Sequence, residues 1–286
     1  MTKFIVLGSA QDGGLPHAGC RCENCVRARN DRAFARTPAA AGIVDGEHLV
    51  MIDATSAFAD QLDLLSTHVS HDATPAGTRY APPATILLTH AHTGHYVGLW
   101  QLDRSVMAAK GVQVIAPPRM ASLLRSNEPW TTMIHEGFIR ITDLALDEPL
   151  QVTPNVTVTP IEVPHRAEWG TETVAFRVDG PNRSILYLPD IDAWDDWELD
   201  VNAIAGSVSV AIVDGCFWEP FPIPGVPHPP VRQSLERLQP VADAGARIYF
   251  THLNHSNPLA DADSLEAHEV RERGFAIVAD GDAFDF

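Results

Sequence analysis

THAHTGHYVGLW (residues 89–100) sets His90, His92 and His95 directly behind the apolar run ATILL. Two imidazoles two residues apart in a turn can aim both rings at one ion through neutral ring nitrogens. His95, at the start of the next element, can face the same cavity and reach an adjacent ion. One histidine beside a strand is usually structural, whereas three in six residues at a strand end point to a metal site on a rigid scaffold. The remaining ligands must come from elsewhere in the chain.

Other apolar runs end in the same way. IEVPHR (161–166) ends with His165, ILYLPD (185–190) with Asp190, and IYFTHLNH (248–255) with His252 and His255. Each side chain emerges where a buried strand reaches the sheet edge, the place where sites form. Singly, each reads equally well as a turn histidine or a capping aspartate; their shared placement argues for one gathered site. Strands are also read at KFIVLGS, DGEHLVMIDAT, VQVIAPP, TVAFRVDG and VSVAIVDG, with a final one at FAIVADGDAFDF. Helices are read at FADQLDLLSTHVS, HYVGLWQLDRSVMAAKG, PRMASLLRSN, VRQSLERLQPVADAGA and ADSLEAHEVRERG. HDATPAGTRYAPP (71–83) is read as a loop, and the proline-rich FWEPFPIPGVPHPP (217–230) as a loop over a site. Two half-chains of strands with interspersed helices predict two packed sheets covered by helices, in one domain spanning 1–286.

The composition narrows the function classes. With 37 acidic against 20 basic residues and a net charge of −17, the surface is unsuited to gripping nucleic-acid phosphates. The one basic cluster, residues 21–36, reads as a solvated helix face. No apolar stretch approaches the ~20 residues that span a bilayer, and FIVLG is shorter than a secretory core. The expectation is a cytoplasmic protein with a small-molecule substrate and neither nucleic-acid nor membrane partners; a homodimer is left open. Of four cysteines, Cys20, Cys22 and Cys25 fall within six residues, which suits a metal clamp in a reducing compartment. Soft thiolates at this spacing favour a structural zinc in a loop at about 11–30 and require a fourth ligand. Cys216 reads as a small buried residue.

The ordered set of strand-end ligands resembles the metallo-β-lactamase superfamily, whose signature is H-x-H-x-D-H followed by a lone His, a bridging Asp and a final His. The resemblance implies a four-layer αββα sandwich. It also implies a first metal on His90, His92 and His165, a second on His95 and His252, and Asp190 between them. Asp53 in MIDAT matches the strand beneath the site. Gly94 departs from the pattern, since the family's aspartate there is a ligand of the second metal. The expectation is therefore a mononuclear or unevenly filled centre, in which Asp190 takes more of the ligation or general-base role and Gly94→Asp raises the metal content.

GSAQDGGLPHAGCRCENC (8–25), with VPHR, LYLPDID and FTHLNHSNPL, is similar to the coenzyme PQQ synthesis protein B family. It is more distantly similar to the cyclic phosphodiesterase of phosphonate breakdown. The latter resemblance implies His255 as the fourth ligand of the cysteine zinc.

The leading expectation is a hydrolase in which Zn, Fe or Mn supplies a metal-bound hydroxide to a small ester, amide or phosphodiester. Asp190 is its expected catalytic residue, orienting the attacking water. The alternatives are a mononuclear iron oxygenase in a cofactor or peptide-derived metabolite pathway, and a metal-stabilised binding protein without catalysis. Trp169, Trp194, Trp197 and Trp218 are candidates for a pocket wall or for ordinary packing. His228 is open between ligand, substrate contact and loop residue.

Overall fold

The computed structural model describes residues 2–69, 81–220 and 225–286; most of the loop read at 71–83 and the middle of that at 217–230 lie outside them. The first half of the chain supplies β1 (Thr2–Gly8), β2 (Ala40–Asp45), β3 (His48–Ile52), β4 (Thr85–Leu87), β5 (Val112–Ala116) and β6 (Ile139–Asp143). The second supplies β7 (Leu150–Thr153), β8 (Val156–Glu162), β9 (Val174–Asp179), β10 (Ser184–Leu188), β11 (Val210–Asp214), β12 (Arg247–Thr251), β13 (Ala276–Ile277) and β14 (Ala283–Asp285). Among the described residues these make two seven-stranded sheets, in the orders β14-β1-β2-β3-β4-β5-β6 and β13-β12-β11-β10-β9-β8-β7. The helices are α1 (Glu23–Asn30), α2 (Phe58–Ser66), α3 (Thr93–Tyr96), α4 (Pro118–Ser126), α5 (Trp130–His135), α6 (Val201–Gly206), α7 (Val231–Asp243) and α8 (Leu265–Glu272).

The two-residue period of the strands sorts side chains into layers. Phe4 and Val6 of β1, Val50 and Ile52 of β3, Ile185 and Tyr187 of β10, and Val210 and Ile212 of β11 fill the space between the sheets. Their neighbours Ile5, Leu7, Leu49 and Met51 face the other way, onto Phe58, Leu62 and Leu65 of α2 and Met120 and Leu124 of α4. Leu186, Leu188 and Val213 likewise meet Val231, Leu235 and Leu238 of α7. Strands buried on both faces, with helices outside each sheet, are the αββα sandwich.

The structure departs from the sequence reading in several places. The helix read from His95 to Gly111 stops after one turn, and a 3-10 stretch follows over Val97–Leu102. The amide of Gly98 donates to the carbonyl of Ala54 at 2.8 Å instead of extending the helix. A Cβ at Gly98 would lie 2.0 Å from the carbonyl oxygen of Thr55, so only glycine permits this approach. The terminal segment is two strands: β13 pairs with β12, and after a turn at Gly281 (φ +96°) β14 pairs with β1 of the other sheet. The stretch LQVTPNVTVTPIE is a hairpin, β7 with β8. The strands β2 and β6 and helices α5 and α6 are additional.

β3, β4 and β5 run parallel, as do β10, β11 and β12. Their carboxyl ends deliver Asp53, His90, His92, Asp190, Asp214 and His252 to one edge of the sandwich, where open parallel sheets build their sites.

Candidate metal centre

The loop after β4 presents His90 and His92, the end of β8 leads to His165, and the end of β10 leads to Asp190. One donor atom from each lies within 4.8 Å of all the others. Nε2 of His165 stands 3.3 Å from Nδ1 of His92 and 3.5 Å from Oδ1 of Asp190. The outer nitrogens are held from behind: Nδ1 of His90 lies 2.9 Å from the Thr89 hydroxyl, and Nδ1 of His165 lies 2.7 Å from Asp192. Such partners fix which nitrogen faces inward.

A second group adjoins the first through the other oxygen of Asp190. Its Oδ2 is 3.4 Å from Nε2 of His95 and 3.3 Å from Nε2 of His252. Asp53 orients His95 through a 2.7 Å contact to Nδ1 and accepts bonds from the backbone and hydroxyl of Thr89. His252 adopts φ +60°, strained backbone that places its ring in the centre.

Burial drives His90 well below the ordinary histidine range, and the neighbouring His95 adds to the effect. Burial also holds His92 down at about 4. Both are therefore neutral near pH 7, with ring lone pairs free to bind a cation. Burial opposes charge on Asp190, but the surrounding rings, led by His252 and His90, keep its carboxyl well below the usual range.

The donor set fits a divalent cation. Both oxygens of Asp190, and Nε2 of His90 and of His252, are buried with no hydrogen-bond partner. Burying an unpaired carboxylate costs several kcal/mol, a penalty that a cation between these atoms offsets. Ligand atoms bound tetrahedrally at ~2.0–2.1 Å stand about 3.3 Å apart, close to the separations around Asp190.

Sequence reasoning missed Asp12. Its Oδ1 lies 3.1 Å from Nε2 of His95 and 3.6 Å from Nε2 of His252, and these three residues form a further group of converging donors. A Cβ at Gly94 would fall 2.5 Å from the Cβ of Asp12 and 2.7 Å from its Cγ. The shortage of carboxylate expected from Gly94 is thus corrected: another loop brings an aspartate into that space. The signal was the one that revealed Asp190, an acidic residue soon after an apolar run, here FIVLGSAQD.

His228 lies at the centre, buried, its ring 5.6 Å from those of His165 and His252. Its Nδ1 is 2.6 Å from Oδ2 of Asp214, which also accepts from the Ile191 amide, while Oδ1 accepts from the Cys216 amide. Burial works against charge on His228, yet Asp214 raises it above the ordinary histidine range. Asp214 was a second omission from the sequence reading. Cys216 is buried near His228 and His252, and its thiol is pushed well up by burial and by Asp214.

Trp194 and Trp197 belong to the core, with indole N–H groups donating to Ser234 and to the carbonyl of Glu162; Trp197 also borders a cavity of about 450 Å³ with Val163 and Pro164. Trp169 lines a cavity of about 480 Å³ with Tyr96, Arg119 and Trp130.

Cys20, Cys22, Cys25 and His255 form a separate converging group. Nδ1 of His255 lies 3.6 Å from the sulfur of Cys20 and 3.5 Å from that of Cys22. All four cysteines are free thiols. Cys22 caps α1 and Cys25 sits in its first turn, where burial pushes the Cys25 thiol up to about 11. The donor types and closure match a structural zinc site.

Comparison with known proteins agrees with this fold. The chain is 28% identical to coenzyme PQQ synthesis protein B of Xanthomonas euvesicatoria pv. vesicatoria (strain 85-10), over 98% of each chain. The crystal structure of Zn(2+)-bound PqqB from Methylobacterium extorquens superposes with a TM-score of 0.83 at 22% identity, over 99% of this chain and 100% of that one. A new diphosphatase from the PhnP family follows with a TM-score of 0.72 at 20% identity, over 100% and 98%. Residues 48–253, which carry all the histidines of the centre and Asp190, match the model of the beta-lactamase superfamily domain, and the chain belongs to that superfamily.

Proposed function

We propose that this protein is a metal-dependent hydrolase of a small phosphodiester or ester, and the His228–Asp214 pair carries that reading. A cation held by these donors would lower the pKa of its water towards ~7 and polarise the bond under attack. Asp190, with its two oxygens facing the two histidine groups, positions the attacking water. Nδ1 of His228 is engaged by Asp214 at 2.6 Å, and Asp214 favours the charged ring. A proton carrier beside such a centre serves a leaving alkoxide, which departs poorly unless protonated. Asp12 occupies the space beside Gly94, where the open position favouring an iron oxygenase was expected. The buried centre, where His92 and Asp12 keep partial exposure, supports a small substrate. We assign zinc to the cysteine site and leave the centre to Zn, Mn or Fe.

The test compares aryl and alkyl phosphodiesters under argon, with protein reconstituted with Zn or Mn. His228→Gln should lower kcat for the alkyl diester by about 100-fold or more and leave the p-nitrophenyl diester, whose leaving group needs no proton, within a few-fold. Turnover that requires oxygen, or an equal loss on both substrates, would contradict the proposal.

A further inference from the structure

We infer that Asp12 is the carboxylate ligand of a second cation in this centre, replacing from the β1 loop the group that Gly94 lacks on the β4 loop. This rests on the metal-dependent reading above and goes beyond it in assigning a ligand outside residues 48–253, the part that matches the superfamily model.

Four observations carry it. The first is spatial exchange: a Cβ at position 94 would lie 2.5, 2.7 and 2.7 Å from Cβ, Cα and Cγ of Asp12. The two positions cannot both bear side chains, and Asp12 projects from the space that one on residue 94 would use. The second is geometry. Oδ1 of Asp12, Nε2 of His95 and Nε2 of His252 converge on one another, and Oδ2 of Asp190 lies against the two rings. The separations between them are 3.1 Å (Asp12 to His95), 3.6 Å (Asp12 to His252), 3.4 Å (His95 to Asp190) and 3.3 Å (His252 to Asp190). Ligands of a tetrahedral ion at ~2.0–2.1 Å are about 3.3 Å apart.

The third is charge. Imidazole ligands bring no negative charge, so one shared carboxylate would leave two dications poorly compensated, and Asp12 adds the second negative charge. The fourth is rigidity. The Gln11 amide donates to the Leu253 carbonyl and the Leu253 amide to the Ser9 carbonyl, both at 2.9 Å. The segment carrying Asp12 is thereby zipped to the segment carrying His252. Asp190, with Oδ1 beside His165 and Oδ2 beside His95 and His252, would be available to both groups.

The test measures metal, not turnover. Protein with its cysteine zinc intact is stripped at the centre and titrated with Mn(II), reading stoichiometry by mass spectrometry of the metal and spin coupling by EPR. Wild type should take two Mn(II) at the centre with a coupled spectrum. Asp12→Asn, nearly isosteric, should hold one, with affinity for the other lowered at least about 100-fold, beyond the range for an outer-shell partner. The exchange variant Asp12→Gly/Gly94→Asp should recover two. Retained cysteine zinc and melting temperature report that each variant is folded. Two equally tight, coupled ions in Asp12→Asn would overturn the assignment, as would a single site in wild type. A wild type that binds two ions but hydrolyses nothing would uphold Asp12 as a ligand while refuting the hydrolase reading.

Discussion

Any side chain at position 94 meets Asp12. Gly94→Asp alone, expected from the sequence to raise metal content, is now expected to leave the stoichiometry at or below the wild-type value and to lower the melting temperature; titration and calorimetry check both. Asp53 acts one layer out, fixing Nδ1 of His95 at 2.7 Å while Thr89 locks the carboxylate in place. Asp53→Ala should weaken the second cation by about 10- to 100-fold, as loss of an orienting partner does, and leave the group around His90 and His92 filled, which competitive chelation can measure. Residues of this kind were unevenly legible. His165, Asp190 and His252 follow apolar runs closely, and their side chains are donors a strand end would present. Asp12 lies four residues beyond β1 in a glycine turn, so the signal of an acidic residue after an apolar run is weaker there, and the space beside Gly94 shows where it sits. Asp192 and Asp214 bind other side chains, which no local pattern displays.

Among the elements, the hairpin β7–β8 is fastened to the first sheet by one buried carboxylate. Asp45, at the end of β2, accepts from the hydroxyls of Thr2 at 3.0 Å and Thr153 at 2.7 Å, and from the backbone and side-chain amides of Asn155 at 3.1 and 3.0 Å. Burial would raise its pKa, but the bonds from Asn155, Thr153 and Thr2 lower it overall. A depressed folded pKa contributes stability that is present above the unfolded value of ~3.9 and is lost as pH falls through the folded value. Asp45→Asn should cost about 1–3 kcal/mol near neutrality and flatten the loss of stability below about pH 4, read from urea unfolding at pH 7 and pH 3. Strands with alternating or apolar runs, and helices such as α7 with its stripe of Val231, Leu235 and Leu238, were legible because burial imposes the period. The stretch after His95 misled, because its helical pattern is overruled by one tertiary hydrogen bond, from Gly98 to Ala54.

Across the whole molecule, the cysteine clamp and the histidine-rich centre share two segments. Residues 9–25 run from the β1 end through Asp12 to the thiols, and residues 251–255 carry His252 to one site and His255 to the other. The binding free energy of a closed site is folding free energy. Cys22→Ser should therefore remove about one equivalent of tight zinc, lower the melting temperature, and loosen the second cation of the centre through Asp12 and His252. Unchanged metal content and stability would refute the clamp. The two-sheet sandwich was legible from the order of strands and helices, because parallel strands need helical crossovers outside the sheets. The return of β14 to the first sheet was not, since only the pairing of Lys3 with Asp285 and Ile5 with Ala283 reveals it.

Anomalous X-ray scattering from crystals grown with manganese or zinc tests the central claim most directly. The account expects one scatterer among Cys20, Cys22, Cys25 and His255, and a pair at the centre about 3.5–4 Å apart, one facing His90, His92 and His165, the other facing Asp12, His95 and His252, with Asp190 between. A centre without a scatterer within bonding reach of Asp190, under conditions that fill the cysteine site, would contradict it.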